Sequence, residues 1–418
     1  GGSAFLQVSE MAMGVGAPAT VKARLDQLVG GKAGEAGRQG GLNAPQGGAG
    51  RMIGVDDAAF GVGDQDARRE VAPACARPAA AEDVLMFLFR EAAPGDEDAI
   101  FELARHLNSL NLPPERPFIR ELLQRSFASF RGSPDFDPTR RFLFVLEDEQ
   151  GTVVGTSMIH AQHGDFDEPH VFFRVIQEER YADLRVTPTS EVHDVHMKHT
   201  MLYLGQTYDG PTELGGLVLL PALRHHPDKL GRLLSLARFV FIARHRGWFR
   251  DRLLAELLPP LSQGPGGATR SGLWDALGHK FTGLSYDEAD RLSRFNKEFI
   301  WRLFPTMPIH ACLLPEGVQD IIGQVGPNTV GAKRLLESIG FQYSGRVDPF
   351  DGGPHYEADT DQVTIVRDTR SYTPELGEPG PAAVPGIVAV TQDRAPHFRA
   401  VWAPVEAVLQ DIPPGEAP

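Results

Sequence analysis

The chain has 418 residues, with 55 acidic against 41 basic side chains, a formal net charge of −14 and 42% hydrophobic residues. A pI near 5.5 and a mean hydropathy of −0.22 argue against a nucleic-acid binder, which needs a basic face to neutralise phosphates. No apolar run approaches the roughly 20 residues of a membrane span, while the apolar share supplies a sizeable core.

In chain order, residues 1–85 are dense in Gly and Ala between Gly30 and Gly63 and lack sustained periodicity, which predicts a disordered leader. That leader has no apolar core flanked by a basic head and a cleavage site, so it does not read as a signal peptide. Folded chain is expected from Met86. A strand over Met86–Glu91 leads into a helix over Ala99–Asn108 and a second over Pro117–Phe130. A hairpin follows, Arg141–Asp148 and Val153–Ile159, turned at Glu149–Gly151. A third strand is expected around His170–Gln177, then a polar region from Tyr181 to Gly210. Leu214–Pro221 is an apolar run of strand length bounded by Gly and Pro.

Leu233, Leu236, Ala237, Val240 and Phe241 then recur at helical spacing within Gly231–Arg246, and Arg252–Leu258 reads as the next strand. A later helix carries Ala332, Leu335, Leu336 and Ile339 on one face. Asn328 and Thr329 stand where a helix is capped, and Gly340 supplies the left-handed residue that ends it before Phe341. Beyond Asp368 the chain is Pro-rich. The alternation predicts an α/β fold. Cys75 and Cys312 lie far apart without metal spacing, so both read as plain thiols of a reducing compartment. The pair His225-His226 reads as a solvated loop, and no metal site is expected.

Several longer segments carry more information: Trp274–Phe281, Leu284–Asp290, Asn296–Ile300, Leu303–Pro305, Ile322–Val325 and Phe350–Pro354. Together, and in this order, they resemble the arginine N-succinyltransferases, a family within the GNAT superfamily of acyl-CoA-dependent N-acyltransferases. The resemblance runs from about Phe87 to about Ala400 and is densest from Glu213 to Ala358. It implies a GNAT-like mixed sheet flanked by helices, with a large insertion and a small, shortened C-terminal β piece. The implied division is a leader over 1–85, an acyltransferase domain over 86–368 and a Pro-rich extension over 369–418. It also implies transfer of a succinyl group from succinyl-CoA to the α-amino group of L-arginine. Such an enzyme works in the cytoplasm, without a permanently bound cofactor, as a homo- or hetero-oligomer. Alternatives are another acyl-CoA, another amine such as ornithine, or a non-catalytic CoA-binding subunit.

Carried onto this chain residue by residue, the resemblance puts Leu217 and Leu219 on a strand that splays from its neighbour to bind the pantetheine amides. Lys229, Gly231 and Arg232 fall on the loop and helix start that cradle the pyrophosphate, and Asn328 opens the helix beside the pantetheine arm. His226 stands where the superfamily's loop has Arg, and Lys229 where it has Gly. Asp348, Asp351 and Glu357 match acidic positions around a Gly-Gly-Pro turn and are expected to bind the guanidinium. Gly326 occupies the position of the family's proton-transferring histidine. The role then passes to another residue or to positioning alone; Glu256 and His355 are the leading candidates, with His310 and Glu357 behind them.

Overall fold

The computed structural model describes residues 3–8, 87–105, 112–185, 187, 192–264, 269–293, 297–372 and 384–405. Among these residues fourteen strands form one mixed sheet. They are β1 (Ser3–Val8), β2 (Leu88–Glu91), β3 (Arg141–Glu147), β4 (Val153–His160), β5 (His170–Leu184), β6 (His193–Thr207), β7 (Thr212–Leu219) and β8 (Arg252–Glu256). After a separate ribbon of β9 (Ser262–Gln263) and β10 (Thr269–Arg270) come β11 (Ile309–His310), β12 (Gln342–Val347), β13 (Pro354–Asp359), β14 (Arg370–Tyr372), β15 (Val384–Thr391) and β16 (Phe398–Val405). The sheet order is β11-β6-β5-β12-β13-β8-β7-β4-β3-β2-β16-β15-β1-β14.

Strand periodicity builds two cores. Phe142, Phe144 and Leu146 of β3 face the helix Leu230–Arg244, while Leu143 and Val145 face the helices Glu97–Ala104 and Arg116–Ser129 on the other side. Both faces of β3 are covered, so it is buried almost end to end. Leu230–Arg244 is itself buried nearly all round, since β15 and β16 bring Ile387, Phe398 and Trp402 onto it. The Pro-rich extension thus adds a hairpin to the main sheet, pairing with β2 through Arg399 and Ala400. Within the 1–85 segment, Ser3–Val8 pairs with both β15 and β14; residues 9–86, with Cys75, lie outside the described residues.

The expected elements are found with shifted ends. The first helix is Glu97–Ala104, and its expected end at Asn108 lies outside the described residues. The strand expected around His170–Gln177 continues to Leu184 and pairs along its whole length with β6, so the polar region forms a long hairpin. The later helix runs Val330–Ser338, and Gly340 takes φ 110° at its end. Asn328 is exposed, and the Thr329 hydroxyl makes no capping bond. It donates instead to the carbonyls of Leu258 and Gly326, each at 2.9 Å, tying the helix start to the end of β8.

A third core holds the segment between residues 271 and 304 against β5 and β12, with Trp274 stacked on Phe350 at 4.9 Å. This packing brings Tyr286, Asp290 and Lys297 to the same cavity as the ends of β4, β7 and β8.

Candidate functional site

Two features of the sheet make room for a site. The first is at β7 and β8, which run parallel but pair only at Thr212–Leu253 and Glu213–Leu254. Beyond that point the strands part, which frees the β8-facing edge of Leu214–Leu219. The second is an irregularity opposite, between Thr156 and Met158 of β4, where Gly216 takes φ 56° and its carbonyl accepts the Thr156 hydroxyl at 2.9 Å. A side chain at 216 would meet Met158 Sδ at 2.7 Å, so glycine is required by both space and backbone.

The expected CoA-side residues fall on β7 and at the start of the helix that follows it. Leu217 is half-buried and Leu219 buried on β7. Lys229 is exposed immediately before the helix Leu230–Arg244, in the left-handed conformation at φ 52°, with Gly231 and Arg232 in the first turn. Amides at a helix start are a ready anion site, and the helix dipole adds to it. His226 turns inward, edge-on to Phe87 at 5.1 Å, and its Nδ1 accepts the Asp228 N–H.

On the other side lies a cavity of about 510 Å³, lined among others by Met158, His160, His163, Glu213, Glu256, Tyr286, Asp290, Lys297, Asp348 and Asp351. Its lining is rich in carboxylates. Burial, and then the neighbouring charge of Glu256, pushes Asp348 up to about 7. Asp351 is raised well above the usual range by burial and by Asp348. The turn between β12 and β13 fixes both: Asp348 accepts the Phe350 N–H at 2.7 Å and Asp351 accepts that of Gly353 at 2.8 Å. Lys297 lies on the same lining and offsets only part of this rise at Asp348.

The floor of the cavity is a histidine–carboxylate cluster assembled from five strands and a loop. Glu213 is 2% exposed, and its Oε2 sits 2.6 Å from His163 Nδ1 and 3.2 Å from His160 Nδ1. Burial opposes its ionisation, but the two histidines hold it well below the usual carboxylate range. Glu256 Oε1 lies 3.3 Å from His355 Nε2, 3.4 Å from His170 Nε2 and 3.9 Å from His163 Nε2. Burial again opposes, yet His355, His170 and His163 bring Glu256 down to about 2. His170 is driven down to about 3 by burial and by His163, and His355 is lowered mainly by burial. The loop that returns His170 to His163 turns at Gly164, φ 85°, where a Cβ would sit 2.5 Å from the His170 backbone nitrogen.

A model for the beta subunit of arginine N-succinyltransferase matches residues 87–365. The chain belongs to the arginine N-succinyltransferase family. The Pseudomonas aeruginosa arginine N-succinyltransferase subunit beta is 34% identical over 304 residues, covering 72% of this chain and 85% of that protein. The Yersinia pestis arginine N-succinyltransferase is 35% identical over 314 residues, with 72% and 84% covered. Among solved structures, subunit AI of the Pseudomonas aeruginosa arginine/ornithine succinyltransferase superposes with a TM-score of 0.60 at 26% identity, over 79% of this chain and 91% of that one. The fold is the expected α/β acyltransferase architecture, and the chain is an acyltransferase.

Within this family member the expected site residues separate. Glu256, Asp348 and Asp351 line the cavity. His355 is fully buried behind Glu256 and is not part of the cavity lining. Glu357 points away: its carboxylate takes Arg252 at 3.0 Å and Arg346 at 3.6 Å. His310 sits beside His199 on the outer strand pair, remote from the cluster. Gly326 is buried and donates its N–H to the Leu258 carbonyl at 2.8 Å, and a Cβ there would lie 2.7 Å from the Pro259 oxygen. His160, His163, His170 and Glu213 were not anticipated. The one local signal was the crowding of three histidines into His160–His170.

Proposed function

We infer that the chain transfers a succinyl group from succinyl-CoA to the α-amino group of L-arginine. The observation that carries this reading is the cavity lined by the buried carboxylates Asp348 and Asp351 in a member of this family, beside the opening between β7 and β8. A guanidinium restores their charge with paired hydrogen bonds, which a single ammonium such as that of ornithine matches less well. The pantetheine arm occupies the opening, its amides pairing with the free edge around Leu217, and Lys229 and the helix start meet the pyrophosphate.

Chemistry then requires a free amine held against the thioester carbonyl. The nitrogen attacks the carbonyl carbon, the C–N bond forms, the C–S bond breaks, and the departing thiolate takes up the remaining proton lost by the attacking nitrogen to leave as CoA thiol. The proton shed by the ammonium passes into the cluster around His163, Glu213 and Glu256, since position 326 offers no acceptor. Glu256 alone is a weak base at a pKa of about 2; it serves to hold the ammonium and the histidines. Closeness supplies much of the rate. The subunit names of the relatives support an assembled enzyme, and an acyl-CoA co-substrate supports a cytoplasmic location.

The test is thiol release from succinyl-CoA with arginine, with ornithine and with neither. Arginine-dependent release, with Asp351→Asn raising KM for arginine far more than it lowers kcat, is expected. Release that ignores arginine would sink the reading.

A further inference from the structure

Three metal-binding side chains meet at the cavity wall with their donor atoms turned toward one another. His163 Nε2, His170 Nε2 and a Glu256 oxygen all lie within 4.8 Å of one another. The Glu256–His170 separation is 3.4 Å and the Glu256–His163 separation 3.9 Å. Donors bound at about 2.0–2.2 Å to one tetrahedral ion stand roughly 3.3–3.5 Å apart. The Glu256–His170 edge therefore already has that length, the Glu256–His163 edge is slightly wide, and the His163–His170 edge lies within 4.8 Å.

The buried histidines supply an independent observation. His170 is 1% exposed, and among the described residues neither of its ring nitrogens has a partner in hydrogen-bond geometry. Its Nε2 nevertheless aims at Glu256. An imidazole buried in that state is costly unless something occupies its lone pair. Around the three donors the supporting groups are in place. Glu213 accepts the His163 Nδ1–H at 2.6 Å, which fixes the tautomer that leaves Nε2 free to ligate, the usual arrangement behind a metal-bound histidine. His355 Nε2 lies 3.3 Å from the same Glu256 oxygen on the neighbouring strand, likewise without hydrogen-bond geometry among the described residues. The geometry points to a divalent transition-metal site, zinc by preference, held by His163, His170 and Glu256.

Two histidines and one carboxylate with a fourth position open are the ligand pattern of catalytic zinc. His163 and Glu256 line the cavity, so that fourth position faces it. Water bound there loses a proton near neutral pH. The resulting hydroxide takes the proton of the substrate ammonium, giving a metal-bound water and a free amine, which supplies the proton acceptor that Gly326 does not. This use of the ion rests on the acceptor reading given above; its binding does not.

The experiment uses the full chain, free of any affinity tag, with Cys312→Ser to remove the separate group of His199, His310 and Cys312 from the count. Chelator-treated protein is titrated with Co²⁺ and then Zn²⁺. One Co²⁺ per chain, with the visible spectrum of a tetrahedral site that Zn²⁺ abolishes, and a raised melting temperature in Zn²⁺ are expected. Glu256→Gln, which keeps the volume, and His170→Ala should each weaken Zn²⁺ binding at least tenfold. Folded protein that shows no tetrahedral spectrum and retains no Zn²⁺ after dialysis overturns the site. Thiol release is measured on the same samples. One bound ion without arginine-dependent release keeps the site and overturns the acceptor reading; full release without a bound ion does the reverse.

Discussion

His355 and Glu256 face each other across β13 and β8, and the imidazole, wholly buried, holds the carboxylate at 3.3 Å. Only the glutamate reaches the cavity. The two should therefore fail differently. Glu256→Gln is expected to lower kcat/KM about 100-fold or more with little change in the melting temperature of the metal-free protein, because it removes a charge at the reacting end. His355→Ala should lower the melting temperature, by about 2–4 kcal/mol of stability, through the cavity it leaves. Its activity loss should be smaller once the protein is assayed well below its melt. Steady-state kinetics with paired thermal melts separates the two.

Gly326→His should not restore a base. The residue's N–H is spent on the Leu258 carbonyl, and even a Cβ meets the Pro259 carbonyl at 2.7 Å. A rigid backbone neighbour cannot give way as a flexible side chain would, so a loss of about 1–3 kcal/mol is expected. Denaturant melts of the variant, with arginine-dependent thiol release below its midpoint, check this. A gain in turnover with an unchanged melt would show that the backbone relaxes and the position remains open to a side chain.

Lys229→Glu should weaken the rise in melting temperature that succinyl-CoA produces. Lys229 stands at the start of Leu230–Arg244, where a new negative charge faces both the helix dipole and the pyrophosphate. The side chain is exposed, so the fold itself should be unaffected. Thermal shift across a succinyl-CoA titration in low salt measures it, and an identical shift in both proteins would place the phosphates elsewhere.

His245 gives the fold a dependence on acid. Its ring stacks on Trp248 at 4.2 Å and tilts against Phe241 at 4.6 Å, and burial, reinforced by Arg244 and Arg140, lowers it to about 3. The unfolded chain binds that proton near pH 6.5 and the native chain does not. Native stability from this group is thus fully present above about pH 6.5 and is lost as pH falls from there toward 3. His245→Phe should flatten that part of the profile. Urea midpoints at pH 7.5 and 5.0 for both proteins test it; equal drops in the two would remove His245 as a contributor.

Much of the architecture was legible locally. The alternation in Arg141–Glu147, the 3.6-residue spacing in Leu230–Arg244 and Val330–Ser338, and Gly340 at a helix end are written in neighbouring residues, because each follows from backbone period and conformational preference. Asp348 and Asp351 were equally readable, since one tight turn sets them side by side. The cluster on the cavity floor was not. His160, His163, His170, Glu213, Glu256 and His355 are ordinary side chains at or near strand ends, and beyond the crowding of three histidines into His160–His170 no local spacing relates them. They meet because β12 and β13 insert between β5 and β8, and because β7 pairs with β8 for two residues and then leaves it. Strand order and splay are decided by which faces can be buried together across the whole chain. The tertiary structure alone therefore decided which carboxylate each histidine serves, and that position 326 had no room for another.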